Sequence, residues 1–260
     1  MGLLLEGRKI LITGAGQGIG RGIAEAVSEA GADVALIDLR MEPLQETAQG
    51  VEENGRTALC LVADVTDRQA VDGAVERMIG EFGRIDGLVS NAGIVEMAPA
   101  LDITGDSWDK HFAVNVRGLM QCCQSAARQM IAAGTHGAIV NIASNAGKVG
   151  YQNMAAYNAS KAAVINVTRN LSAEWAKHGI NVNALCPGGV DTPMLGAVAE
   201  WIGKRIGMDP QELLDGMKPQ QMDRKIQPIE IGRVVAFLLS DDARIIRGQS
   251  VNADGGDTPY

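Results

Sequence analysis

An alternation constrains this chain more than any other feature: a short, apolar, β-rich run is followed by a longer helical pattern, and the pair repeats along its length. Lys9–Thr13, Asp33–Asp38, Thr57–Val62, Asp86–Ser90, Ala138–Ala143, Asn181–Cys186 and Ser250–Asn252 read as strands. Gly18–Ala30, Met41–Asn54, Asp67–Phe82, Gly105–Ala132, Ala155–His178 and Ile229–Ser240 read as helices, and a more polar helical stretch runs from Thr192 to about Met217. Strands separated by helical crossovers lie parallel, joined by right-handed connections. Runs such as Ile10-Leu11-Ile12 and Val34-Ala35-Leu36-Ile37 are apolar without interruption, which fits strands buried on both faces. The class is therefore α/β, with a doubly wound parallel sheet. No linker or composition break divides the 260 residues. A single domain spanning 1–260 is expected, with the segment 192–225 forming a helical lid.

Composition narrows the partners. Twenty-three Lys+Arg face 31 Asp+Glu, a net charge of −8, which disfavours general binding to nucleic acid. No apolar run approaches the roughly 18 residues of a membrane span. The start, Met1-Gly2-Leu3-Leu4-Leu5-Glu6, lacks a basic n-region and a long apolar core, so no signal peptide is expected. The cysteines at 60, 122, 123 and 186 fit no zinc spacing, and the three histidines form no HExxH. Free thiols in a reducing cytoplasm, no metal and a small-molecule partner are the expectation.

Thr13-Gly14-Ala15-Gly16-Gln17-Gly18-Ile19-Gly20 occupies the first strand-to-helix turn. Glycines there let the backbone approach a pyrophosphate, while the helix N-terminus offers N–H donors and a positive dipole end. The GxxxGxG spacing is not that of a P-loop, since no Gly-Lys-Ser/Thr follows. Asp38 ends the second strand, 18 residues after Gly20. A carboxylate there hydrogen-bonds the ribose hydroxyls of an adenosine and repels a 2′-phosphate, which points to NAD rather than NADP. An N-cap role for Asp38 is compatible with that. Arg40, two residues on, reads as solvated.

Tyr157 and Lys161 stand at i and i+4, on one face of a helix. A phenol is a poor base at its ordinary pKa of about 10, and a neighbouring ammonium favours the phenolate. Ser144 follows the strand Ala138–Ala143, at the strand end where an open α/β sheet binds ligands.

Thr-Gly-xxx-Gly-x-Gly at 13–20, Ser90-Asn91-Ala92-Gly93, Asn115, Ser144, Tyr157-xxx-Lys161 and Pro187-Gly188 occur in this order. Together they resemble the short-chain dehydrogenase/reductase family, over essentially the whole chain to Asp254-Gly255-Gly256. The resemblance implies a Rossmann-type fold and a tetrad: Tyr157 as general acid/base, Lys161, Ser144 positioning the substrate oxygen, and Asn115 supporting a water-linked proton path. It implies a cofactor site comprising Gly14, Gln17, Gly18, Ile19, Gly20, Asp38, Asp64, Val65, Asn91, Ala92, Gly93, Tyr157, Lys161, Pro187, Gly188, Val190 and Thr192. Ser90 stands where the family more usually has Asn. The expected reaction is oxidation of a secondary alcohol to a ketone with NAD, or the reverse. Gly147-Lys148-Val149-Gly150 and the long lid look most like polyol and diol dehydrogenases of the sorbitol and 2,3-butanediol type, and Asn145, Gln152 and Asn153 would suit several hydroxyls. A 3-oxoacyl thioester reductase is the alternative, disfavoured by Asp38, and a non-catalytic dinucleotide-binding regulator is a second. Small-residue faces at Ala126-Ala127, Ala155-Ala156, Ala159 and Ala162-Ala163 suit close packing between subunits, and the resemblance implies a homotetramer.

Overall fold

A computed structural model describes residues 2–260. The expected strands form as β1 (Lys9–Thr13), β2 (Asp33–Asp38), β3 (Ala58–Val62), β4 (Gly87–Ser90), β5 (Ala138–Ile142), β6 (Asn181–Pro187) and β7 (Ser250–Ala253). They make one parallel sheet in the order β3-β2-β1-β4-β5-β6-β7. The chain builds outward from β1 to β3, then crosses back to place β4 on the other flank of β1. Beyond the carboxyl ends of β1 and β4 this reversal opens a crevice, because the two following connections leave toward opposite faces.

Helices cover both faces. On one lie α1 (Gly18–Glu29), α2 (Met41–Glu53) and α9 (Pro228–Leu239); on the other lie α3 (Arg68–Phe82), α5 (Leu119–Ala133) and α6 (Ala155–Trp175). Leu36, Val89 and Val140 point into the first layer, whereas Leu11, Leu88 and Ile139 point into the second. Successive residues of one strand thus serve opposite cores, which is why the strands read as unbroken apolar runs.

Two expected elements are subdivided. The helix expected over 105–132 is α4 (Gly105–Phe112), a π-helical segment Ala113–Gly118, and α5. The stretch from 192 splits into α7 (Pro193–Ile206) and α8 (Pro210–Gly216). Gly207, left-handed at φ 70°, ends α7, and Asp209 starts α8 by accepting the N–H groups of Gln211 and Glu212. Ala126, Ala127 and Ala156 are buried within the chain itself, so the subunit-packing role expected of them does not hold. Among the described residues, no helix is long and apolar enough to cross a membrane, and no three His, Cys, Asp or Glu side chains are placed to hold a metal ion.

Helices α1 and α9 cross with backbones in contact. A Cβ added at Gly22 would fall on the Pro228 carbonyl carbon, and one at Gly232 on the Gly22 carbonyl oxygen. Main-chain atoms cannot swing aside, so Gly22→Ala is expected to destabilise the fold by about 1–3 kcal/mol. Gly80 is exposed within α3, and a methyl added there would meet nothing within 4 Å, so Gly80→Ala should instead gain up to about 1 kcal/mol. Thermal melting of the two variants should move Tm in opposite directions; a Gly22→Ala protein as stable as the parent would contradict the close crossing.

Candidate functional site

The ends of β1 and β4 are laced together at the mouth of the crevice. The Thr13 hydroxyl oxygen accepts the N–H groups of Asn91 (3.0 Å) and Ala92 (3.1 Å), while the Asn91 amide donates to the carbonyls of Thr13 and Gly14, both at 3.0 Å. Gly14 is left-handed, at φ 64°, and a Cβ there would stand 2.8 Å from the Ala92 Cα. The turn is therefore pressed down onto β4, leaving its outer surface open. Helix α1 then starts without a side-chain cap at Gln17, so its first N–H groups are available to an anion.

Asp38 is fixed by backbone donors. One carboxylate oxygen accepts the Gly16 N–H at 2.9 Å and the other the Leu39 N–H at 2.7 Å. The N-cap position of α2 belongs to Arg40, whose side chain makes no capping bond and is exposed, so Asp38 is not the cap. Gly16 is not among the expected site residues. Its role is to orient Asp38, and a Cβ there would lie 2.9 Å from the Asp38 carboxylate.

These groups open onto one cavity of about 1160 Å³, and every expected site residue lines it except Gly20 and Asn115. Gly20 sits behind the turn: a Cβ there would collide with the Gly14 carbonyl and come within 2.7 Å of the Asn91 amide. It permits the approach of helix to strand and does not face the cavity. Asn115 lies in the π-helical segment, 1% exposed. Its Oδ1 accepts the Ile94 N–H (2.8 Å), and its amide donates to the Ile94 carbonyl and the Ser160 hydroxyl, both at 3.0 Å. The carbonyl oxygen and one amide hydrogen thus hold the chain after β4, and the other amide hydrogen ties the segment to α6. A π turn shifts the helical register by one residue, a feature common at functional sites, and here it delivers Asn115 to that chain.

Ser144, Tyr157 and Lys161 come together where β5 ends. The Ser144 hydroxyl oxygen accepts the Ala146 N–H at 3.1 Å and stands beside the Tyr157 phenol. Burial pushes the Tyr157 phenol up from its ordinary value, and the neighbouring Ser144 hydroxyl pulls the other way. Lys161 lies one turn along α6, donates to the Ile142 carbonyl at 2.9 Å and stands 5.7 Å from the Tyr157 ring centre. Burial lowers its ammonium to about 8. The sequence leads one to expect an ammonium-lowered phenol; here desolvation is the larger influence on both groups.

Above them, the lid begins at Thr192, whose hydroxyl caps α7 by accepting the Leu195 N–H at 3.3 Å. The Thr192 methyl is 3.3 Å from where a Cβ on Gly18 would be, so the lid rests on the glycine turn. Met194, Leu195, Val198, Trp201 and Ile202 present one stripe of α7 to the cavity, and the Arg205 guanidinium lies on the Trp201 ring at 4.2 Å. Met208 does not line the cavity, whereas Met217 does. Val95, Met97, Tyr151, Met154 and Asp257 also line it, and sequence reasoning misses them. They sit on irregular chain carrying no motif, and Asp257 reaches the site only because the C-terminal tail folds back.

A family model for the short chain dehydrogenases matches residues 8–203. The chain is 38% identical over 259 residues to a sorbitol dehydrogenase from Cereibacter sphaeroides, covering 97% of this chain and 98% of that protein. It is 37% identical to a galactitol 2-dehydrogenase from Agrobacterium fabrum, at 97% and 98% coverage. The solved structure of an NAD+-bound xylitol dehydrogenase superposes with a TM-score of 0.90 at 36% identity, covering 97% of this chain and 99% of that one.

Proposed function

This chain belongs to the short-chain dehydrogenase family and is an oxidoreductase acting on secondary alcohols; we propose that its substrate is a polyol or diol and its cofactor NAD. The observation that carries this reading is the meeting of Ser144, Tyr157 and Lys161 in the same cavity that holds the glycine turn and Asp38. The cavity fits a dinucleotide on three counts: an uncapped helix start, a turn that admits no side chain at Gly14, and a carboxylate pinned at the end of β2. The likeness to sorbitol, galactitol and xylitol dehydrogenases supports the polyol assignment.

In this reading Gly14, Gln17, Gly18 and Ile19 hold the pyrophosphate, and Asp38 the adenosine ribose. Asp64 and Val65 flank the adenine. Asn91, Ala92 and Gly93 form the floor, and Pro187, Gly188, Val190 and Thr192 receive the carboxamide. The nicotinamide, when bound, supplies the hydride acceptor for the alcohol carbon. Ser144 orients the substrate hydroxyl through a hydrogen bond. Tyr157 takes the hydroxyl proton in oxidation and returns it in reduction. Lys161 stabilises the phenolate and anchors the neighbouring ribose, and Asn115 positions the chain after β4 beside them. The lid 192–225 excludes water from the reacting pair. Assembly as a homotetramer belongs to the same proposal; Ala155, Ala159, Ala162 and Ala163 remain at least partly accessible on α6 to serve it.

A screen of polyols, diols and hydroxy acids with NAD, read as NADH absorbance, tests the activity. NAD should be preferred over NADP by at least tenfold in kcat/KM, because Asp38 would face the extra phosphate with like charge. Asp38→Ala should erase most of that preference, and equal use of both cofactors by the parent enzyme would remove the role given to Asp38.

A further inference from the structure

Beside the reacting group stands a second phenol that the mechanism does not use. Tyr151 lines the cavity six residues before Tyr157, and its hydroxyl oxygen accepts a hydrogen bond from the Asn145 amide at 2.8 Å. Asn145 is itself buried, and its carbonyl oxygen takes the Ser144 hydroxyl at 3.4 Å. The three side chains thus form one directed chain, from the Ser144 O–H to the Asn145 carbonyl and from the Asn145 N–H to the Tyr151 oxygen. Because the Tyr151 oxygen is the acceptor in that bond, its own hydrogen is uncommitted, and it donates to no group among the described residues. Asn158 adds a brace by donating to the Tyr151 carbonyl at 2.8 Å, which fixes the loop that carries the ring. The result is a free, oriented O–H donor held one amide group away from the serine that meets the reacting oxygen.

We propose that Tyr151 is a specificity-determining residue, its hydroxyl donating to a second oxygen of the substrate while the reacting oxygen lies on Ser144 and Tyr157. The proposal rests on the secondary-alcohol reading and sharpens it: substrates bearing a second hydroxyl or carbonyl near the reacting carbon are selected over those with one oxygen. Asn145 acts through Tyr151 as a positioning residue. Its amide fixes which way the phenol hydrogen points, so the donor is organised before the substrate arrives. Asp257, which also faces the cavity near this phenol, holds the Gln220 N–H at 2.8 Å and leaves the Tyr151 hydrogen free.

The test compares a diol, 2,3-butanediol, with a single alcohol of the same carbon skeleton, 2-butanol, in the parent and in Tyr151→Phe. Loss of one hydrogen bond at a partly exposed site corresponds to about a three- to tenfold change. The ratio of kcat/KM for diol over alcohol should therefore fall by about that factor in the variant, most of it in KM. Asn145→Ala should move the ratio in the same direction, and Asn145→Asp at least as far, because a carboxylate keeps the serine's acceptor but loses the donor to Tyr151 and takes the phenol hydrogen for itself. Equal losses on both substrates would reduce Tyr151 to a structural prop and overturn the proposal, as would an unchanged ratio. If the parent turned over neither alcohol nor any polyol of the screen, it is the secondary-alcohol reading that would fall, before the variant is measured.

Discussion

Tyr157→Phe should lower kcat/KM for any alcohol by about 10² to 10⁴, the usual range for removing a positioned acid–base group. The change deletes one oxygen and keeps the ring, so the packing of α6 and the 5.7 Å approach of Lys161 to the ring survive. Cofactor affinity should fall far less than turnover. The pH profile supplies the sign. Burial holds the Tyr157 phenol above its ordinary value, so in oxidation, where phenolate is the working form, the rate should climb with pH. In reduction the phenol is the working form, and the rate should fall as pH rises. Steady-state kinetics in both directions, with dinucleotide binding followed separately, would check this. A variant retaining more than a tenth of the parent's kcat, or the same pH slope in both directions, would take Tyr157 out of the proton transfer.

How far the sequence reaches depends on whether a position carries a local rule. Strand order follows from the alternation, since a chain of βα units has few ways to cross over. The cavity-facing glycines are legible because only a residue without Cβ tolerates φ near 60° against a neighbouring strand, as Gly14 does against Ala92. The same rule assigns Gly20 to the cofactor site, yet it lies behind that site. Sequence spacing shows that a side chain is absent, but not which surface needed it absent. The break of 105–132 into α4, a π segment and α5 leaves no trace, because Ala113-Val114-Asn115-Val116 has the composition of ordinary helix. The Tyr157–Lys161 spacing is visible, but their protonation is not: the phenol's burial and the carbonyl of Ile142 against the lysine come from β5 and the layer beneath it. The places of Tyr151 and Asp257 are not legible at all, since nothing in their neighbours sets them around one cavity.

Lys161 itself should be costly to the fold, and Lys161→Met should show it. The residue is 4% exposed, and its ammonium has, among the described residues, no carboxylate partner, only the Ile142 carbonyl. Burial lowers its pKa from 10.5 to about 8. A drop of that size corresponds to about 3 kcal/mol of destabilisation wherever the lysine is charged in both states. Methionine keeps the length and the apolar stem but leaves the Ile142 carbonyl without its donor, at a cost of about 1–3 kcal/mol. The balance favours the variant by about 1 kcal/mol at pH 7, or roughly 2–4 °C in Tm for a chain of this size. The direction with pH follows from proton counts. Between pH 8 and 10.5 the unfolded chain holds a proton on Lys161 that the folded chain has released, so parent stability rises through that window. Above it the charge penalty is gone, while the orphaned carbonyl of the variant remains, and the order should invert. Turnover should be lost at every pH, because the phenolate of Tyr157 would have no cation beside it. Melting curves of both proteins without cofactor, at about pH 7 and about pH 10.5, decide the matter: a variant less stable at neutral pH, or a difference that does not change with pH, would mean that the buried ammonium is already compensated by the fold. The expected crossing would show a group kept against stability for what it does in the site.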